Sequence, residues 1–472
     1  MKNSNAKTGA SPRLTLIATS LGFVLIILDV TVVNVAVERI EVSLHAGVTG
    51  LQWVINAYAL LFASLLPSAG TFSDRFGAKR VFATGLVLFT TASLICGMST
   101  NLGMLIAGRI AQGIGAAFCV PSSLALLNAS FPNAASRARA VGIWAGAGGL
   151  GLAAGPVVGG VVVDQFGWPT IFFLNLPLGL IGLWLTIVHA PSGSKVPDRS
   201  LDLIGQALAI VALAALTFGF IESGELGWTS PAVLAGFACS IVAATSFLLV
   251  EARSADPMLP LSLFATPAVG AACLVGLLSN FAYYGLMFVL SLFFQVVKGF
   301  SPLATGLAFL PMTALVTVAS LVAGWLTARF GPRLPMAIGQ ALAGCGYLAL
   351  AGLADAATPY GILVGPMLAA GIGVALTVPS MTTAVLANVQ RQHGGVASGA
   401  LNAARQIGGV IGVGVFGSLV AGGSDDLPSG MHVALLIAGL ALMIGCLISI
   451  VGVRRSRAQE SCSSVIAAQA CE

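Results

Sequence analysis

Residues Leu14–Val37 read LTLIATSLGFVLIILDVTVVNVAV, and the only charged side chain in that run is Asp29. About 20 predominantly apolar residues cross a bilayer as a helix, so this stretch predicts a transmembrane helix with a carboxylate at membrane depth. Placing a charged Asp near the middle of such a helix costs roughly 2.5–3.5 kcal/mol even on lenient scales, and such a residue faces a polar cavity or a partner. The rest of the chain is read for what Asp29 serves.

Of the 472 residues, 57% are hydrophobic and 8% are charged, against roughly 45–50% apolar and 25% charged in an ordinary soluble domain. This is the composition of a polytopic membrane protein. Apolar runs bounded by charged or Gly/Pro/Asn breaks number fourteen, at about 14–37, 50–70, 81–99, 102–125, 137–161, 169–189, 203–222, 231–251, 268–295, 303–327, 333–353, 360–385, 396–421 and 431–452. The first run exceeds the roughly 7–15-residue core of a signal peptide and no Ala-x-Ala site follows it, so it is expected to be retained. The eight cysteines form no Cys-x-x-Cys pair and six lie in apolar runs, where Cys is a small hydrophobe. The four histidines, His45, His189, His393 and His432, stand singly near run ends. No disulfide, metal or other cofactor is expected.

Charge then sets orientation. With a cytoplasmic N-terminus, 17 of the 21 Lys and Arg fall on the cytoplasmic side: Lys2, Lys7, Arg13, Arg75, Lys79, Arg80, Arg137, Arg139, Lys195, Arg199, Arg253, Arg329, Arg333, Arg391, Arg454, Arg455 and Arg457. Only Arg39 and Lys298 fall outside, while Arg109 and Arg405 lie within runs. This positive-inside bias predicts both termini in the cytoplasm, because one miscounted helix would flip every later loop. The net charge of +5 is thereby accounted for without an acidic partner or nucleic acid.

The chain also repeats itself. Gly113-Ile-Gly-Ala-Ala-Phe-Cys-Val-Pro121-Ser122 in the fourth run recurs as Gly371-Ile-Gly-Val-Ala-Leu-Thr-Val-Pro379-Ser380 in the twelfth. Gly70-Thr-Phe-Ser-Asp-Arg-Phe-Gly77 after the second recurs as Gly324-Trp-Leu-Thr-Ala-Arg-Phe-Gly331 after the tenth. Both matches are displaced by eight runs, so a six-helix unit is duplicated with two extra helices between the copies. Paired halves of this kind are the architecture of alternating-access transporters. The expected fold is an all-α polytopic membrane protein of 14 transmembrane helices, two pseudo-symmetric six-helix bundles plus two inserted helices. Its expected parts are an N-terminal tail (1–13), a first bundle (14–189), a linker with the extra helices (190–267), a second bundle (268–452) and a C-terminal tail (453–472).

Four segments carry a family resemblance. Gly70-Thr-Phe-Ser-Asp74-Arg75-Phe-Gly77-Ala-Lys79-Arg80 resembles the cytoplasmic loop motif of the major facilitator superfamily. Leu28-Asp29-Val-Thr31-Val-Val-Asn34-Val-Ala36, Arg109-Ile-Ala-Gln112-Gly113 and Gly151-Leu-Ala-Ala-Gly155-Pro156-Val-Val-Gly159-Gly160 resemble motifs of its fourteen-helix drug:proton antiporter branch. Leu226-Gly-Trp-Thr229 and Asn402-Ala-Ala-Arg405-Gln406-Ile-Gly408 are most similar to methylenomycin A resistance-type exporters. The sequence departs from the pattern at Val37-Glu38, where many relatives have Leu-Pro. The resemblance implies proton-coupled export of small amphipathic antibiotics or toxic compounds across a bacterial cytoplasmic membrane, by a protein working as a monomer in the bilayer. A facilitator-superfamily carrier of a physiological metabolite is the alternative.

The residues allow a physical reading of those motifs. At 1.5 Å per residue, Asp29 lies about 6 Å beyond the middle of its run, and Arg109, on an antiparallel run, lies roughly 6–8 Å beyond its own on the same side. They match in depth, so Asp29 is expected to carry the proton with Arg109 and Gln112 modulating it; a static buried pair is the plainer alternative. Gly151, Gly155 and Gly159 form a bare stripe for close helix approach, and Pro156 can kink the helix. The resemblance adds that this motif is typical of exporters. Gly70, Asp74, Arg75, Gly77 and Arg80 are expected to gate the cytoplasmic side, Asp74 by capping a helix or pairing with Arg137 or Arg139.

Candidate substrate contacts are Asn34, Asn280, Tyr283, Tyr284, Asn402 and Arg405. For Arg405 a hydrated cavity, a carbonyl cluster and an anionic substrate group remain open. Gln52, Asn56, Tyr58 and Gln295 are further polar positions. No Gly-x-x-x-x-Gly-Lys-Ser/Thr loop occurs, which excludes ATP hydrolysis by that route, and no nucleophile–base constellation at membrane depth supports an intramembrane enzyme. The proton gradient is the expected energy source.

Overall fold

A computed structural model of the chain describes residues 11–192, 202–254, 257–389, 394–421 and 427–453. Lys2, Lys7, Lys195, Arg199, Arg391, Arg454, Arg455 and Arg457 of the charge reading, Cys462, Cys471 and His393, and most of both terminal tails lie outside the described residues. Among the described residues all regular structure is helical, and fourteen helices are long and apolar enough to cross a membrane.

We number these helices α1 (Pro12–Leu44), α2 (Gly47–Phe76), α3 (Ala78–Gly97), α4 (Leu102–Ser130), α5 (Ala134–Phe166), α6 (Thr170–His189) and α7 (Leu203–Leu226). They continue as α8 (Pro231–Arg253), α9 (Pro267–Val297), α10 (Pro302–Phe330), α11 (Arg333–Leu353), α12 (Tyr360–Ala387), α13 (Gly394–Val420) and α14 (Leu427–Gly452). Helix α1 runs past the apolar stretch to Leu44 and stops only where His45 turns left-handed at φ 51°. Glu38 and Arg39 are good helix formers, and without the Leu-Pro of the family pattern nothing breaks the ladder earlier. Two helices are interrupted. In α6 the hydrogen-bond ladder is irregular at Leu174, between Thr170–Phe173 and Asn175–His189, while Leu174 keeps helical φ -59° and ψ -29°. α10 is divided into Pro302–Ala308, Leu310–Thr313 and Val316–Phe330.

The chain packs as two compact units, one of Met1–Ile210 with Ser301–Leu307 and the other of Val211–Phe300 with Ala308–Glu472. The first buries Leu25, Phe62, Phe82, Leu86 and Phe89 at its core, and the second buries Val269, Val275, Met336, Met381 and Val385. In the second unit, α8 turns Leu234, Ile241, Val242, Leu248 and Leu249 outward, an exterior suited to hydrocarbon rather than water.

The sequence repeat acquires a structural meaning inside each unit. In the first, Gly113 lies against the Tyr58 carbonyl of α2, and a Cβ on Gly115 would sit 2.8 Å from the Phe89 amide nitrogen of α3. In the second, Gly371 lies against the Met312 carbonyl of α10, and a Cβ on Gly373 would sit 2.5 Å from the Ala343 nitrogen of α11. Each Gly-Ile-Gly thus gives one bare face to each of two preceding helices, which lets three backbones meet.

Candidate functional site

The first unit brings Asp29, Arg109 and Gln112 together as their depths predict. Asp29 and Arg109 are 2% and 1% exposed and form an ion pair, Arg109 Nη1 donating to Asp29 Oδ2. The other carboxylate oxygen accepts from Gln112 Nε2 at 3.1 Å and from Asn175 Nδ2 at 2.8 Å. Arg109 also donates from Nε to the Val54 carbonyl at 3.0 Å and from Nη1 to Gln112 Oε1 at 2.8 Å. Its guanidinium carbon lies 4.5 Å from the centre of the Tyr58 ring, a face that attracts cations. Ser93 Oγ closes the set, accepting from Gln112 at 2.7 Å and Asn175 at 3.3 Å. Both carboxylate oxygens, and Nε and Nη1 of the guanidinium, therefore have partners, as charges buried this deeply require.

Asn175 and Ser93 were not singled out from the sequence. Asn175 sits on the face of α6 turned towards α1, and its wholly buried amide reaches the Asp29 carboxylate. The available signal was an amide in an apolar run, since polar side chains at membrane depth are costly and seldom idle. Ser93 gives no such signal, because a serine in a membrane helix usually bonds its own preceding turn.

The glycine stripe of α5 faces this same turn of α1. A Cβ on Gly151 would stand 3.3 Å from the Val24 carbonyl, one on Gly159 2.9 Å from Val32 Cγ1, and one on Gly155 would strike the Thr31 hydroxyl. Pro156 and Gly160, on another side of α5, meet the first piece of α10: Gly306 lies against the Pro156 carbonyl, and a Cβ on Gly160 would sit 2.6 Å from the Pro302 carbonyl. Gly155→Ala is therefore expected to lower thermal stability by about 1–3 kcal/mol, the usual effect of overpacking, and to lose most transport. Thr31→Ala in the same chain should restore part of both, read from melting of the purified protein and from vesicle uptake.

The loop motif is partly local geometry. Gly77 joins α2 to α3 with φ at 93°, a region that favours glycine, and its carbonyl accepts from the Arg80 amide at 3.1 Å. Asp74 and Arg75 lie in the last turn of α2, with Arg75 over the Phe76 ring. Gly70, six residues before the end of α2, has open space where a Cβ would be.

Of the candidate substrate contacts, Asn34 belongs to the first unit, where its amide donates to the Val30 carbonyl one turn earlier at 2.9 Å. The others belong to the second unit and fall into two groups. Arg405 and Asn402 on α13 are joined at 3.3 Å, and Arg405 interacts electrostatically with the Tyr284 hydroxyl of α9. Gly276, Asn280 and Tyr284 follow at intervals of four on α9, and a Cβ on Gly276 would sit 2.9 Å from Arg405 Cγ. That spacing places Asn280 on the same face. Tyr283 stands edge-on to Tyr284 with ring centres 5.5 Å apart, and its buried hydroxyl, with no hydrogen-bond partner among the described residues, interacts electrostatically with both Tyr284 and Tyr347 on α11. Asn56 in the first unit is wholly buried with neither amide atom partnered among the described residues.

Comparisons with known proteins follow these features. A family model described as Major Facilitator Superfamily matches residues 19–413. The chain is 40% identical over 428 residues to the Methylenomycin A resistance protein of Streptomyces coelicolor, covering 91% of this chain and 90% of that one. It is 40% identical over 408 residues to the Multidrug resistance protein Stp of Mycobacterium tuberculosis, covering 86% and 76%. Among solved structures, a POT family transporter in complex with a thioalcohol-conjugated peptide has the same fold at TM-score 0.70 and 14% identity, covering 93% of this chain and 96% of that one.

Proposed function

The chain belongs to the major facilitator superfamily of membrane transporters, and on that premise we propose that it is a proton-coupled antiporter exporting small amphipathic antibiotics or toxic compounds. It works as a monomer in the bacterial cytoplasmic membrane with both termini in the cytoplasm, and the proton gradient is its energy source. The names of its relatives support the cargo class, since they are resistance proteins.

The observation that carries the coupling is Asp29, a carboxylate buried at membrane depth whose oxygens are both occupied by three donors from two other helices, α4 and α6. As arranged, the carboxylate oxygens accept from a guanidinium and two amides. A proton gains access only when α1 shifts against α4 or α6 and one of those donors leaves. The carboxyl, then isolated in an apolar site, is stable only when neutral. Alternating access supplies such a shift: one arrangement releases the proton as Arg109 closes on Asp29, and the other takes it up. The glycine stripe of α5 against Leu28, Thr31 and Val32 gives α1 a smooth surface on which to move. One charge crossing about 100 mV supplies roughly 2.3 kcal/mol, enough for a cargo gradient of some fortyfold at about 1.4 kcal/mol per decade.

Everted vesicles carrying an internal pH dye test this reading. Addition of an exported antibiotic should release protons from vesicles that contain the protein and not from vesicles without it. Uptake of cargo with no proton movement at any pH would overturn the coupling, and competition by a central metabolite but by no antibiotic would replace export with metabolite carriage.

A further inference from the structure

The molecule holds two arginines at membrane depth, and their surroundings differ. Arg109 spends its donors on a carboxylate, an amide and a backbone carbonyl. Arg405, near the middle of α13, has one hydrogen bond among the described residues, the 3.3 Å contact to Asn402 Oδ1, and its buried Nε has no partner there. Between Pro257 and Ser424 the sequence has a single carboxylate, Asp355, and that one is in the exposed loop between α11 and α12. A guanidinium presents five donors in a fixed planar fork, and a charge left uncompensated at this depth is costly. The second unit nevertheless makes room for it. Gly276 clears space for the Arg405 stem, Tyr284 further along the same face of α9 brings a hydroxyl within electrostatic reach of the fork, and the spacing puts Asn280 on that face between them.

We propose that Arg405, with Asn402, Asn280 and Tyr284, is the binding subsite for a carboxylate on the exported molecule, so that the preferred cargo is an amphipathic organic acid. The guanidinium fork matches a carboxylate with two parallel bonds, the Tyr284 hydroxyl and Asn280 amide donate to the remaining lone pairs, and the apolar walls of α9 and α13 take the rest of the molecule. The inference rests on the export reading and names its substrate class.

The test uses full-length protein in everted vesicles energised by a proton gradient, with protein-free vesicles as the blank. Fluorescent 2-naphthoate, 2-naphthamide and 2-naphthylmethylamine are offered in parallel, and decanoate, decanamide and decylamine as competitors. The acids are expected to be taken up and to compete in preference to the amides and amines. Arg405→Gln should lower acid uptake about ten- to hundredfold, the range for losing hydrogen bonds to a charged group, while Arg405→Lys keeps part of it and both variants match wild type in abundance. Preference for amide or amine in the wild type overturns the inference and leaves export standing, as does an undiminished acid preference in Arg405→Gln. Acid uptake that disappears when gluconate is replaced by chloride assigns the site to an inorganic anion and overturns it too. If none of the six compounds moves while an exported antibiotic still does, this inference is overturned and export stands; if the antibiotic does not move either, the export reading fails and this inference falls with it.

Discussion

Asp29→Asn is expected to abolish cargo-driven proton release from everted vesicles while exchange of cargo for cargo continues. Asn keeps the size of the side chain and one acceptor for Arg109, but it cannot take up or release a proton. A carrier that has lost its titrating group still alternates when cargo is bound on both sides, so exchange and coupling separate in this variant. The static-pair alternative makes a different forecast, because a purely structural Asp29 would take abundance, exchange and coupling down together. Should the variant keep full coupling, the proton belongs elsewhere, and Glu38 or Glu222 become the groups to replace.

Arg109→Leu is expected to have the larger effect on the folded state. It leaves the Asp29 carboxylate buried at 2% exposure with only Gln112 and Asn175 as donors, and breaking a buried pair from one side costs about 3–5 kcal/mol. The double variant Asp29→Asn with Arg109→Leu removes both charges, so it should be more stable than Arg109→Leu alone. That non-additivity, read from melting of the four proteins, is the coupling energy of the pair. If the single and double variants melt together, the two side chains are not energetically linked, and the geometry has no bearing on proton exchange.

Much of the architecture was legible because lipid imposes its own grammar. A backbone in hydrocarbon must satisfy its hydrogen bonds within a helix, so apolar length gave the number of spans. Within α4, the spacing of Arg109 and Gln112 put both on one face, and depth arithmetic placed that face level with Asp29. The role of Asn175 is not legible in the sequence, because tertiary packing alone decides which face of α6 lies against α1. Tyr283 and Tyr284 show the same limit from the other side. Adjacent in sequence, they point about a hundred degrees apart on α9, and only the packing of α11 and α13 decides that Tyr284 meets Arg405 while Tyr283 meets Tyr347.

By itself the sequence determined that this is a fourteen-helix membrane protein with a duplicated six-helix unit, and that Asp29 and Arg109 lie at matching depth. Those conclusions rest on periodicity, depth and the cost of charge in lipid, all of which are properties of the chain along its length. The tertiary structure decided what length cannot encode. It placed Asn175 and Ser93 on the Asp29 network, turned the α5 glycines towards Thr31 and Val32, and grouped Ser301–Leu307 with the first unit although they follow α9 in the chain. It also left Arg405 without an acid. Each is a contact between residues far apart in sequence, fixed by which helix faces close-pack and where a helix breaks, and a one-dimensional pattern specifies neither.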